Sequence, residues 1–154
     1  MRRGSSPART GSRFLLPLAL AVLPAVGACD RTDTLTPDRL KVEIRSFRAE
    51  YEQGDTFRGS FTITNKTLKS IRAKFPDSRW FDLVLYDSLG NAAFHYNVVA
   101  FQIVTYLELD PLDSHTEMLS FPPDTLPVGA YRVHGWVMWH EDIWSETTIQ
   151  VLHR

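Results

Sequence analysis

Polar and apolar positions alternate with a period of two through most of the chain beyond position 40. Leu40, Val42 and Ile44 are interleaved with Lys41, Glu43 and Arg45, the pattern of a strand with one face buried. Glu52-Gln53-Gly54-Asp55 reads as a turn, with Gly54 available for positive φ. Phe57, Phe61 and Ile63 then alternate with Arg58, Ser60, Thr62 and Thr64, and Gly59 reads as a bulge. Asn65-Lys66-Thr67 closes that strand. Trp80 to Tyr86 is apolar on both faces apart from Asp82, which predicts a central strand. Asp87-Ser88-Leu89-Gly90-Asn91 turns the chain into Ala92–Tyr96, a hairpin by turn chemistry. Val98 to Leu109 fits a strand, a bulged loop or a short helical turn, and Thr116 to Phe121 fits a strand. Pro122, Pro123 and Pro127 stiffen a connector before Gly129. Tyr131, Val133, Val137 and Trp139 mark one face of a further strand, and Thr147, Ile149 and Val151 one face of the last. No amphipathic helix interrupts this order. Seven or eight short strands with turns about every ten residues predict an all-β protein, an antiparallel β-sandwich.

The first 28 residues follow a different pattern. Arg2, Arg3, Arg9 and Arg13 precede the apolar run Phe14 to Ala28, which Pro17 and Pro24 interrupt. Such a run is too short to cross a hydrocarbon core of about 30 Å as a helix. A basic start, an apolar middle and a small-residue end are the parts of a secretory signal peptide, read here as residues 1–28. Val26-Gly27-Ala28-Cys29 resembles the lipobox of bacterial lipoproteins. The resemblance implies cleavage behind Ala28 and a diacylglyceryl thioether on Cys29, which anchors the protein outside the cytoplasm on a membrane of the cell envelope. More than one acyl chain is needed for stable anchoring, at about 0.8 kcal/mol per buried CH₂. Asp30 to Arg39 is polar, contains Pro37 and lacks periodicity. Residues 29–39 therefore read as the lipidated cysteine and a flexible tether reaching at most about 33–36 Å, and residues 40–154 as the folded domain.

Charge and composition narrow the function. The whole chain carries a formal charge of -1, but all four basic residues of the leader lie upstream of Cys29, leaving 13 basic against 18 acidic side chains after it. A mildly acidic domain has no basic footprint for nucleic acid. The single cysteine excludes an intramolecular disulfide, a CxxC redox pair and a cysteine-rich zinc site. No GxSxG elbow and no HExxH occurs, and the five histidines, at 95, 115, 134, 140 and 153, are scattered. His134 and His140 fall on one strand face but about 20 Å apart, too far to share a metal. Asp110, Asp113, Glu117 and Asp124 lack the spacing of an EF-hand loop and read as a solvated stretch. The expectation is a protein with no catalytic residue, no metal and no cofactor.

Several ordered pieces resemble a known family. They are Phe61-Thr62-Ile63-Thr64-Asn65, Trp80-Phe81-Asp82-Leu83-Val84-Leu85-Tyr86-Asp87, Leu89-Gly90, Phe94-His95-Tyr96-Asn97 and Leu126-Pro127-Val128-Gly129-Ala130-Tyr131-Arg132-Val133. A strand with an Asp inside an apolar run, a Gly turn, an aromatic-x-aromatic strand and a Pro-x-Gly-x-Tyr opening resemble the BsuPI family. That family is named for an intracellular proteinase inhibitor of bacilli. The resemblance covers roughly Leu40 to Val151. It implies an immunoglobulin-like sandwich, and proteinase inhibition as the sharpest functional expectation. Phe94, Tyr96 and Asn97 stand where the family usually carries two tryptophans and a serine.

Two surfaces are candidates for protein contact. On the strand Ala130–His140, the face opposite Tyr131 and Val133 carries Arg132, His134, Trp136, Met138 and His140. If open, that face has the composition of a contact patch. If Val98–Leu109 covers it, Trp136 belongs to the core, the arrangement the sequence favours. The second surface is Phe121 to Val128, with Thr125 and Leu126 at its centre. Prolines lower the entropy such a loop loses on binding, although a plain connector between two sheets accounts for the same residues. The functional expectation is a lipid-anchored, non-catalytic envelope protein that binds another protein, in the sharpest case a protease. An accessory lipoprotein scaffolding an envelope complex is the alternative, and a metal-dependent hydrolase the remotest one.

Overall fold

Alternation at Leu40–Ser46 (β1) and Phe57–Asn65 (β3) produces two strands that pair antiparallel, with Ile44 opposite Phe61 and Val42 opposite Ile63. This comes from a computed structural model that describes residues 33–96, 101–122 and 126–154. Residues 1–28, read above as a signal peptide, together with Cys29, Asn97, the first three residues of the Val98–Leu109 stretch, Asp124 and Thr125, lie outside the described residues. Ser114–Phe121 (β8) joins β3 on its other side, with Phe121 opposite Phe57. The second layer runs β2–β10–β9–β5–β6, from Glu50–Glu52 (β2), His140–Leu152 (β10), Gly129–Val137 (β9), Phe81–Tyr86 (β5) and Ala92–His95 (β6). Asp82 thus sits in a strand flanked on both sides, as its apolar neighbours predict.

The two layers face each other through the alternate residues that the pattern assigned inward. Phe57, Phe61, Leu119 and Phe121 meet Phe81, Leu83, Leu85, Tyr131, Val133, Ile149 and Val151 in one buried cluster. Phe61 stacks on Phe81 with ring centroids 4.7 Å apart, and Phe57 on Phe121 at 4.6 Å. Burial of each such side chain contributes about 1.5–3 kcal/mol. Gly135 is what lets Phe61 in, because a Cβ there would lie 2.8 Å from its ring. This two-layer, all-β arrangement is an immunoglobulin-like sandwich.

Its details depart from the expectation in instructive ways. Ten strands form among the described residues, not seven or eight. The extra pair is Ile71–Phe75 (β4) with Thr105–Leu109 (β7), a separate two-stranded sheet. It closes one end of the sandwich over a second cluster that includes Leu35, Leu40, Ile63, Ile71, Phe75, Leu109 and Val137. The ambiguous stretch Val98–Leu109 therefore ends as a strand. Strand β2 pairs parallel with β10, so the second layer is mixed rather than wholly antiparallel. Gly59 keeps regular register with Ser46 and Leu119 and is no bulge; its missing side chain leaves room for the Arg45 carbonyl and the Phe57 ring. The register shifts fall instead between Leu85 and Tyr86 and between His140 and Trp144.

The boundary of the folded unit also moves. Asp33 to Arg39, read from composition as tether, are docked. Asp33 donates its N–H to the Arg72 carbonyl at 2.8 Å and accepts from the Arg72 N–H at 3.0 Å through Oδ2. Leu35 is 4% exposed inside the second cluster. One apolar residue in ten gave no periodicity to detect, yet it suffices to pin the segment.

Candidate protein-contact surface

Strand β9 turns Tyr131, Val133, Gly135 and Val137 into the core, which leaves Arg132, His134 and Trp136 on the outer face. Register then decides their neighbours. On one side Tyr86, Val84 and Asp82 of β5 stand beside Arg132, His134 and Trp136. On the other, Thr148, Glu146 and Trp144 of β10 do the same. Three strands thus build one patch of aromatic and charged side chains. Residues 105–109 pair with β4, so Trp136 is half-buried on this outer face and does not belong to either core cluster.

Glu146 organises the patch. Its Oε1 lies 2.9 Å from His134 Nδ1 and 3.4 Å from Arg132 Nε. The Arg132 guanidinium carbon sits 5.3 Å from the Tyr86 ring centre, within cation–π range. The imidazole of His134 is ringed by aromatics, 5.2 Å from Trp144, 5.6 Å from Trp136 and 6.2 Å from Tyr86. Between Tyr86, His134, Trp136 and Glu141 lies a shallow cavity of about 320 Å³. Trp144 remains 52% exposed. Further along the face, His95 Nε2 lies 2.9 Å from Asp82 Oδ2, while Asp82 Oδ1 accepts the Leu83 N–H at 2.8 Å. His95 and His134 flank Val84, about 10 Å apart by strand spacing.

The remaining sequence candidates lie elsewhere. Met138 leaves the alternation at the end of β9. Its N–H donates to the Trp80 carbonyl at 3.1 Å and its side chain packs against the second core cluster. His140 opens β10 opposite Val137, so only Met138 and Trp139 form the hairpin turn. Trp139 there adopts φ 65° and is 65% exposed. Leu126 is buried in the first cluster, and its carbonyl accepts from Gln53 Nε2 at 3.3 Å. At the end of the same connector, Tyr131 donates its hydroxyl proton to the Pro127 carbonyl at 2.7 Å. Burial raises the Tyr131 pKa, and the nearby Asp87 carboxylate adds to the rise. The connector is thus fastened at Phe121 and Leu126 on either side of Thr125, which lies outside the described residues.

Sequence reading missed Tyr86, Trp144 and Glu146. The signal that could have found them is the alternation of Trp144, Glu146 and Thr148 against Thr147 and Ile149 on the last strand, extended two residues further back.

An alkylpurine DNA glycosylase AlkC of Pseudomonas fluorescens, bound to DNA containing an abasic site analog, shares 13% identity over 73% of this chain, with a TM-score of 0.51. The CARDB domain of a Pyrococcus furiosus protein, in complex with di-metal ions, shares 14% over 75% with a TM-score of 0.48 and is covered over 94% of its length. A β-glucosidase of Listeria innocua in complex with laminaribiose gives 14% over 73% and a TM-score of 0.48. The chain spans only 16% of that glucosidase and 30% of the glycosylase. At these identities the likeness concerns fold alone. No curated protein matches the chain. The sequence does match the family described as BsuPI, intracellular proteinase inhibitor, over residues 45–141, from the end of β1 through the start of β10. That span is more than half of the sequence, so the chain belongs to the BsuPI family.

Proposed function

We propose that this protein is a lipid-anchored, non-catalytic protein of the cell envelope that binds another protein, and that its partner is an extracytoplasmic proteinase which it inhibits. The observation that carries this reading is the outer-face patch of Tyr86, Arg132, Trp136 and Trp144, held by Glu146 and His134. Aromatic and Arg side chains on a preformed strand surface lose little entropy on contact and are the residue types that dominate binding energy. Family membership supports a proteinase as the partner, and the Val26–Cys29 lipobox supports the anchor. The two histidines of this face are each tied to a carboxylate, and among the described residues neither is bonded to a hydroxyl.

The test uses the mature lipidated protein in detergent micelles against a panel of envelope proteinases, alongside crosslinking in whole cells. Inhibition of at least one proteinase is expected, and Trp144→Ala should weaken it by about tenfold or more, the loss typical of an exposed aromatic anchor of about 1.4–2 kcal/mol. No proteinase inhibited in the panel and none among the crosslinked partners would sink the reading. Stable assembly components in their place would establish a scaffolding role instead.

A further inference from the structure

Cys29 lies four positions before Asp33, and Asp33 is already fixed to β4 by two backbone-directed hydrogen bonds. Four residues span at most about 14 Å. Strand β3 alone, with nine residues, is about 30 Å long. A lipid on Cys29 therefore holds the domain by its β4–β7 end, with too little slack for the opposite end to reach the same membrane while the molecule stands upright.

That end presents apolar side chains to solvent. Leu68 is 81% exposed and Leu112 61%, each at the tip of a loop. The two loops form one unit: Leu112 donates its N–H to the Thr67 carbonyl at 3.2 Å, and Ser70 Oγ lies 3.3 Å from Asp110 Oδ1. Asn65 fastens both by donating to the carbonyls of Lys69, Leu109 and Asp110. Leu112 holds its side chain outward at φ 63°, in the left-handed region that a branched apolar residue rarely occupies. Phe101 and Ile103, 61% and 62% exposed, lie beyond the other end of the same two-stranded sheet, past the Phe75–Thr105 pair, where Phe101 bonds Ser78 through both its N–H and its carbonyl. Lys69 and Lys74 are exposed beside them, but so are Asp110 and Asp113, so this end has no strong field of either sign.

We propose that the β4–β7 end is a membrane-contact surface, its sheet lying along the bilayer that holds the Cys29 lipid and seated through Leu68 and Leu112 at one end and Phe101 and Ile103 at the other. The proposal rests on lipidation of Cys29 as proposed above. Four apolar side chains are too few to bring a free domain onto a bilayer. Tethered within about 14 Å, they meet the lipid at a high effective concentration and set the orientation of a domain already anchored. The partly exposed face of β9 and β10 is then presented sideways to other envelope proteins. Because the contact is apolar, it is insensitive to salt.

The experiment places single labels on the mature lipidated protein in vesicles of phosphatidylethanolamine and phosphatidylglycerol. Lipidation consumes Cys29, so Leu68→Cys, Leu112→Cys and Leu89→Cys each supply one free thiol for an environment-sensitive fluorophore. Leu89 is 85% exposed in the β5–β6 turn and serves as the distant control. Quenching by spin-labelled lipid is expected to be severalfold stronger at positions 68 and 112 than at 89, at low and high salt alike. Equal quenching at all three, with the protein still bound to vesicles, overturns the orientation while leaving the anchor intact. Absence of the diacylglyceryl mass on Cys29 overturns the anchor and the orientation with it. Labels shielded in cells but water-exposed in protein-free vesicles would show that a protein covers this end, which also overturns the proposal.

Discussion

Asn65 is fully buried, and all of its side-chain capacity is used. Its amide nitrogen serves three carbonyls, and its Oδ1 accepts from the N–H and hydroxyl of Thr67 at 2.9 and 2.8 Å. One side chain thereby closes β3 and holds the loops on both sides of the β4–β7 sheet. Asn65→Ala removes the amide from all three carbonyls; that of Lys69 keeps the Thr67 hydroxyl at 2.9 Å and that of Asp110 the Asp113 N–H at 3.1 Å, and a buried polar group left unpaired costs about 1–3 kcal/mol. A loss of about 1–3 kcal/mol is expected in urea unfolding; a loss under about 1 kcal/mol would show that water replaces the amide at no cost. Trp139 is the opposite case, a residue with strain and little burial. A non-glycine residue in the left-handed region bears about 1–2 kcal/mol, and the ring is 65% exposed. Trp139→Gly should therefore leave the unfolding midpoint unchanged or raise it. A drop of more than about 1 kcal/mol would mean that the ring contributes more packing than its exposure indicates. The sequence marks Asn65 only as a strand-ending polar residue, because the partners that give it its role are 44 and 45 positions away.

At the scale of elements, what could be read was what repeats locally. β1, β3, β9 and β10 carry long alternations and emerge from the pattern of apolar residues alone. β2 has three residues and β4 five, too few for a period to stand out. β4 also alternates Arg72 and Lys74 against Ile71, Ala73 and Phe75, but as closure of an end rather than as part of either layer. The candidate contact surface divides along the same line. Arg132, His134 and Trp136 follow from alternation on one strand. Tyr86, Trp144 and Glu146 join them only through cross-strand register, which no local window contains. Gly135 shows how tightly register and packing are coupled. Its position in β9, opposite Leu83 and Ser145, places bare backbone against the Phe61 ring. Gly135→Ala forces that ring, stacked on Phe81, to move, and overpacking of this kind costs about 1–3 kcal/mol. Thermal unfolding should show the loss, whereas an unchanged midpoint would mean that the two layers slide apart freely, contrary to close packing of sandwich cores.

For the whole molecule, the decisive revision concerns where the folded unit starts, because the length of the tether follows from it. Composition placed the start at Leu40, after a polar decapeptide. The structure docks the chain from Asp33, through the Asp33–Arg72 bonds, the Arg39–Asp33 ion pair at 3.6 Å and the burial of Leu35. The exposed ion pair contributes little. Loss of a buried leucine costs about 2–5 kcal/mol, and loss of the backbone bonds about 0.5–1.5 kcal/mol each. Two shortened forms separate the boundaries. A chain starting at Asp33 should unfold at the same urea concentration as one starting at Asp30. A chain starting at Leu40 should be less stable by about 3–8 kcal/mol, since it loses both Leu35 and the two bonds to Arg72. Equal stability of all three would return the boundary to Leu40 and restore a tether of about 33–36 Å. Under the proposed lipidation of Cys29, a tether of that length would no longer confine the β4–β7 end to the membrane, so the same measurement weighs directly on the proposed orientation.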